Sequence, residues 1–226
     1  MSFMKKTLII NAHPKIDDTA SFSIRVMNEF LAHYRQAIPS DHIIEQLNLY
    51  QDDIPTVDRT VLSAWDKQAH NKKSIEQIEL TDQEKKVTDR IQHLVDQFKS
   101  AGTYVIVMPL HNFNIPSKLK DYMDDILIAG ETFYYAKGGR GIGLLNEQKR
   151  QCLLIQGSGA VYTNNDWYTQ VEFSYKYLHA MFQFMGIEDF EIVRAQGTAR
   201  TEGKEERLIL AYQQVEQQAH RLASSL

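Results

Sequence analysis

The chain has 226 residues, 43% of them apolar, a single cysteine and a formal net charge of -4. That length and apolar content can bury one substantial core, so residues 1–226 are expected to form a single α/β domain. The lack of positive excess argues against nucleic acid or an anionic membrane as the main partner, and the lone Cys152, set in an apolar run, excludes an intrachain disulfide.

Behind Met1 to Lys6 the apolar stretch is far shorter than a signal core or a membrane span, so the expected location is the cytoplasm. Met4, followed by two lysines, is an alternative start. Residues 7–11 form a nearly continuous apolar run closed by polar residues and Pro14, which predicts a strand buried on both faces. Met27, Phe30, Leu31 and Tyr34 recur at i, i+3, i+4 and i+7, predicting an amphipathic helix over about 21–37 with Ser21 or Ser23 at its cap. Weak alternation over 43–49 predicts a second strand and a right-handed β-α-β crossover. Residues 50–80 are polar, carry Pro55 and Trp65, and are too long for an ordinary connection; they are read as a lid or an edge excursion.

From Thr81 the apolar positions Val87, Ile91, Leu94, Val95 and Phe98 predict a helix, with Gly102 just beyond it. Residues 103–108 predict the third strand and 109–115 a loop. Pro116 opens a helix with Leu119, Tyr122, Met123, Ile126 and Leu127 on its core face, closed by Gly130. Residues 132–135 and the glycines at 138–143 predict a short hairpin or a glycine-rich excursion. The fourth strand, 151–156, leads through a loop at 157–165 to a helix carrying Phe173, Tyr177, Ala180, Met181 and Phe184, ended by Gly186. A fifth strand at 190–195 and a helix at 204–224 complete the chain. Five buried strands alternating with five helices predict a doubly wound, five-stranded parallel sheet in a three-layer α/β/α sandwich.

In such a sheet ligands bind beyond the carboxyl ends of the strands, which directs attention to the loops at 12–20, 109–115 and 157–165. The first has no glycine, and no G-x-x-x-x-G-K-[ST] occurs anywhere, which removes the dinucleotide Rossmann and P-loop readings. It offers hydroxyls instead. Thr19, Ser21 and Ser23 stand at a helix start, where free N–H groups favour an anion, and His13 adds a donor, so a monophosphate fits; plain N-capping is the alternative. In the second loop Leu110, His111, Asn112 and Phe113 supply amides, an imidazole and a ring suited to a flat heteroaromatic group, or else only an Asn-rich turn. In the third, Gln156, Gly157, Ser158 and Gly159 let main chain approach a planar ligand, or else make a tight turn. Eight histidines occur without H-E-x-x-H or paired ligand spacing, so no metal site is expected.

With these loops in view the chain resembles, over nearly its whole length, the FMN-dependent NADH azoreductases, relatives of the flavodoxin-like quinone reductases. The most specific block is 108–120, which is similar to an apolar strand followed by P-[ML]-[YH]-N-F-N-I and [PS]-x-x-L-K. The resemblance implies a flavodoxin-like fold and non-covalent FMN, with Leu110, His111, Asn112 and Phe113 along the isoalloxazine and Ser21, Phe22 and Ser23 on the phosphate. His13 stands where a serine is common, and Gln156 to Gly159 stand where the family often has S-R-G-G, also a flavin contact. The run at 129–135 resembles A-G-x-T-F-x-Y and implies Phe133 and Tyr135 in the acceptor pocket.

By the same resemblance, hydride passes from NADH or NADPH through the flavin to a small aromatic acceptor, a quinone or an azo compound, with ping-pong kinetics. A homodimer with the active site between subunits is implied, the aromatic-rich helix from Phe173 to Phe184 contributing to its interface. His111 is a candidate proton donor to the reduced acceptor. A flavodoxin-type electron carrier is the rival reading, but its docking face would be acidic, and the acidic residues here are dispersed. A phospho-receiver domain would need aspartates at strand ends where Asn11 and Met108 stand.

Overall fold

The computed structural model describes residues 5–226; the choice between Met1 and Met4 as the start lies outside the described residues. Its main sheet contains β1 (Lys6–Asn11), β2 (Ile43–Asn48), β3 (Thr103–Pro109), β6 (Gln151–Gly157) and β7 (Asp189–Ala195), in the order β2-β1-β3-β6-β7. All four pairings are parallel. Counting these five strands alone, the order is 2-1-3-4-5, one of the two common doubly wound arrangements.

The continuous apolar runs are explained by the two layers they separate. Leu8, Ile10, Tyr104, Ile106, Met108 and Leu154 point to one face, where they pack with α3 (Asp82–Lys99), α4 (Ser117–Ile126) and α6 (Phe173–Met185). Ile9, Val105, Val107, Leu153 and Ile155 point to the other, against α1 (Phe22–Ala37) and α7 (Lys204–Ala223). Strand side chains alternate between faces, so a strand covered on both sides must be apolar at every position. Each fully buried Leu, Ile or Val here contributes on the order of 1.5–3 kcal/mol. Cys152 is fully buried in the first layer, as expected of a packing residue.

The segment 50–80, read from the sequence as a lid or an edge excursion, contains a regular helix, α2 (Arg59–Asn71). Asp58 caps it, accepting from the N–H of Thr60 at 2.8 Å and of Val61 at 3.1 Å. Val61 packs with Ile91 and Val95 of α3, and Trp65 lies alongside. Only Val61 and Ala64 of α2 are buried, so its apolar stripe is too thin to register as a helical period. By contrast α3 carries both its stripe and a capping box, in which Thr81 and Glu84 satisfy each other's backbone N–H.

The glycine-rich region forms an antiparallel hairpin of β4 (Phe133–Tyr135) and β5 (Gly141–Gly143), and a one-turn helix, α5 (Trp167–Gln170), precedes α6. Among the described residues no helix is long and apolar enough to cross a membrane.

Candidate active site

The loops after β3, β6 and β7 are laced together at the carboxyl edge of the sheet. Leu110 N–H donates to the Gly157 carbonyl at 2.7 Å, and Ser158 N–H to that of Ala195 at 3.1 Å. Thr198 and Ala199 donate back to the carbonyls of Ser158 and Gly159. Between this lacing and the start of α1 lies a cavity of about 300 Å³, walled by Ser21, Phe22, Ser23, Leu110, the turn from Gly157 to Gly159, Thr198 and Lys204.

Ser21 occupies the N-cap position of α1, yet its side chain makes no capping bond; it sits 3.1 Å from the Ser23 hydroxyl instead. Among the described residues the N–H groups of Phe22, Ser23 and Ile24 have no protein acceptor. Ser21 is thus the N-cap by position but not by a side-chain bond, which leaves the first-turn donors available to an anion. Lys204, the first residue of α7, also lines the cavity, its ammonium 5.2 Å from the centre of the Phe22 ring, which brings a cation to the start of α1. Gly157 packs tightly against the start of α1, since a Cβ there would lie 3.1 Å from Ser23 Cβ.

The adjoining loop after β3 is held in an unusual backbone. Asn112 has φ 47° and Phe113 φ 66°, both left-handed. Flanking them, His111 and Asn114 exchange backbone hydrogen bonds of 2.9 and 2.8 Å, closing a tight two-residue turn. A left-handed residue other than glycine costs on the order of 1–3 kcal/mol and persists only where its surroundings impose it. Here they do: the Phe113 carbonyl accepts from Phe173 at 3.0 Å and Ser174 at 3.3 Å at the start of α6, and its ring meets Trp167 edge to face at 5.3 Å. The turn leaves the Asn112 and Phe113 N–H groups without a protein acceptor among the described residues, as donors for the edge of a planar ligand.

The residues expected from sequence divide accordingly. Ser21, Phe22, Ser23, Leu110, Gly157, Ser158 and Gly159 are gathered in one cavity, with His111, Asn112 and Phe113 on the turn beside it. His13 is buried outside that lining, its Nδ1 2.6 Å from the Lys15 carbonyl. The Gln156 side chain is also turned inward. It donates to Glu172 at 2.7 Å and accepts from the Ser174 hydroxyl at 2.7 Å, while Arg194 grips Glu172 through two bonds of 2.8 and 2.7 Å. This network orders the α6 start that holds Phe113.

Phe133 and Tyr135 stand apart from the strand-end cavity. Phe133 lines a larger groove of about 960 Å³ between α2, α3 and the link from α4 to β4, and Tyr135 is exposed beside it. That groove is roomier, but the carboxyl ends of the main-sheet strands and the start of α1 with its uncommitted N–H groups lie at the smaller cavity. Thr198 and Lys204 were not found by sequence reading, because nothing in local spacing connects them to serines near the other end of the chain.

A polar cleft able to take a phosphate beside a turn able to take a flat ring fits a flavin mononucleotide. A family model described as flavodoxin-like fold matches residues 5–219. An FMN-dependent NADH:quinone oxidoreductase 1 of Bacillus cereus is 59% identical over 221 residues, which cover 98% of this chain and 100% of that protein. One from Lactiplantibacillus plantarum is 45% identical over 197 residues, covering 86% and 87%. The crystal structure of an FMN-dependent NADH-azoreductase from Bacillus anthracis in complex with FMN superimposes with a TM-score of 0.90 at 59% identity, covering 96% of this chain and 99% of that one. The chain belongs to the flavodoxin-like fold family and, within it, to the FMN-dependent NADH:quinone oxidoreductases and azoreductases.

Proposed function

We propose that this chain holds FMN without a covalent bond and uses it to reduce quinones and aromatic azo compounds with electrons from NADH. The observation that carries the reading is the start of α1, where two serine hydroxyls and three uncommitted N–H groups face Lys204 across a cleft at the sheet's carboxyl edge. The relatives named for the same chemistry support it.

When bound, FMN supplies the two-electron chemistry between nicotinamide and acceptor. The chain's own residues do the rest. Ser21, Ser23 and the first turn of α1 hold the phosphate, Lys204 neutralises it, and Gly157 lets the end of β6 close against Ser23. Leu110 and the rigid turn at Asn112 and Phe113 orient the ring and donate to its edge. His111, exposed at the mouth of the turn, delivers a proton to the reduced acceptor. If His111→Gln leaves turnover and its pH dependence unchanged, that role is refuted.

Residues 1–226 act as one domain, and two copies form a cytoplasmic dimer with the active site between subunits, the helix from Phe173 to Phe184 contributing to the interface and Phe133 and Tyr135 lining the acceptor pocket. Sedimentation showing only monomer would contradict the shared site. The test of the whole reading is turnover. Purified protein given NADH and menadione should oxidise the nicotinamide rapidly with ping-pong kinetics, whereas a yellow but inert sample would indicate an electron carrier.

A further inference from the structure

The layer formed by α1 and α7 carries a side-chain cluster that the flavin chemistry does not use. Both helices present a glutamate one turn before a histidine: Glu29 and His33 on α1, Glu216 and His220 on α7. The two helices share one apolar layer, and that packing brings the two pairs together at its solvent edge. One donor atom from each of His33, Glu216 and His220 lies within 4.8 Å of the others. The His33 and His220 rings meet at 6.1 Å, edge to face.

The two nitrogens of His33 have different neighbours. Nε2 lies 3.1 Å from Glu29, and Nδ1 lies 3.8 Å from Glu216. In the neutral ring, donation from Nε2–H to Glu29 leaves the Nδ1 lone pair directed toward Glu216, the tautomer a metal requires. A carboxylate behind a ligating histidine is the usual supporting partner of a zinc-bound imidazole. Four ligands at about 2.0–2.2 Å in a tetrahedron lie roughly 3.4 Å apart. Glu216 and His220 are exposed, so their side chains can turn toward that spacing about the part-buried His33, with water in the fourth position.

The geometry points to a divalent zinc-type site formed by His33 Nδ1, Glu216 and His220, with Glu29 orienting His33. It pins α1 to α7 one helix length from the phosphate cleft, since the 12 residues from Ser21 to His33 span about 18 Å of helix. The spacing rule applied to the sequence missed it because its ligands come from helices at opposite ends of the chain.

The test uses tag-free, chelator-treated holoprotein. Zn²⁺ titrated by calorimetry should bind one ion per chain with micromolar affinity, and Co²⁺ should give the visible bands of a four-coordinate site, displaced by Zn²⁺. His33→Ala and His220→Ala should each weaken binding more than tenfold, and Glu29→Gln by about tenfold. Flavin content and quinone turnover of these exposed-site variants should be unchanged. The proposal is overturned if Zn²⁺ fails to bind below about 100 μM, or if binding survives both histidine substitutions. Neither result bears on the flavin reading, which is measured separately.

Discussion

Replacing Asp125 with asparagine should stabilise the protein, and the gain should grow with pH. Asp125 is wholly buried on α4, and among the described residues neither of its carboxylate oxygens has a hydrogen-bond partner. Burial, reinforced by the charges of Asp121 and Asp124 and partly offset by Lys118 and Arg90, pushes its pKa from the ordinary 3.8 up to about 8. The native state thus keeps a proton that the unfolded chain has released, and stability falls as pH rises from near 4 toward 8, then levels off. At ~1.4 kcal/mol per pH unit the ceiling on that loss is roughly 6 kcal/mol. Local relaxation and water entry reduce such penalties, so the expected advantage of Asp125→Asn at pH 8 is about 2–3 kcal/mol. Urea melts of both proteins at pH 4.5, 6.5 and 8.5 measure it as the difference between them, which cancels all other titrating groups. A gap that stays constant with pH, or a variant less stable than wild type at pH 8.5, would show that Asp125 does not retain its proton in the folded state.

Other substitutions probe the phosphate cleft and the fold separately. Gly157→Ala places a methyl 3.1 Å from Ser23 Cβ; overpacking of about 1–3 kcal/mol should displace the start of α1 and raise the FMN Kd at least fivefold in a fluorescence titration. Lys204→Ala should weaken FMN while leaving riboflavin, which lacks the phosphate, unaffected, and its effect should shrink at high salt. The Lys67 ammonium, with the Thr81 backbone and the Ser63 hydroxyl, holds the Glu84 carboxyl down to about 2. Glu84 thus stabilises the fold above the ordinary carboxylate range, and that contribution is lost as pH falls toward 2. Glu84→Gln should melt lower than wild type at pH 7, with the deficit closing in acid.

The strands were legible because β1, β3 and β6 are covered on both faces and must be apolar throughout, and α3 announced itself with a stripe and a capping box. Helix α2 was not, because a helix that buries only Val61 and Ala64 leaves almost no periodic trace. The site follows the same logic. Ser21 and Ser23 could be found because a helix start beyond a buried strand is a local feature. Lys204 and Thr198 reach the cavity only through the lacing of the β6 and β7 loops, a tertiary fact with no local signal. The position of Gln156 was visible, but the inward turn of its side chain depends on Glu172 and Ser174 of the α6 start. The cluster around His33 and His220 was hidden for the same reason, since each helix shows only one half of the arrangement.

The most direct test of the phosphate seat is to titrate the apoprotein with FMN and with riboflavin side by side. FMN should bind tightly and one to one, riboflavin markedly more weakly, and that difference should vanish when Ser21, Ser23 and Lys204 are replaced together by alanine. Equal affinity for the two flavins in the unmodified protein would contradict the phosphate seat.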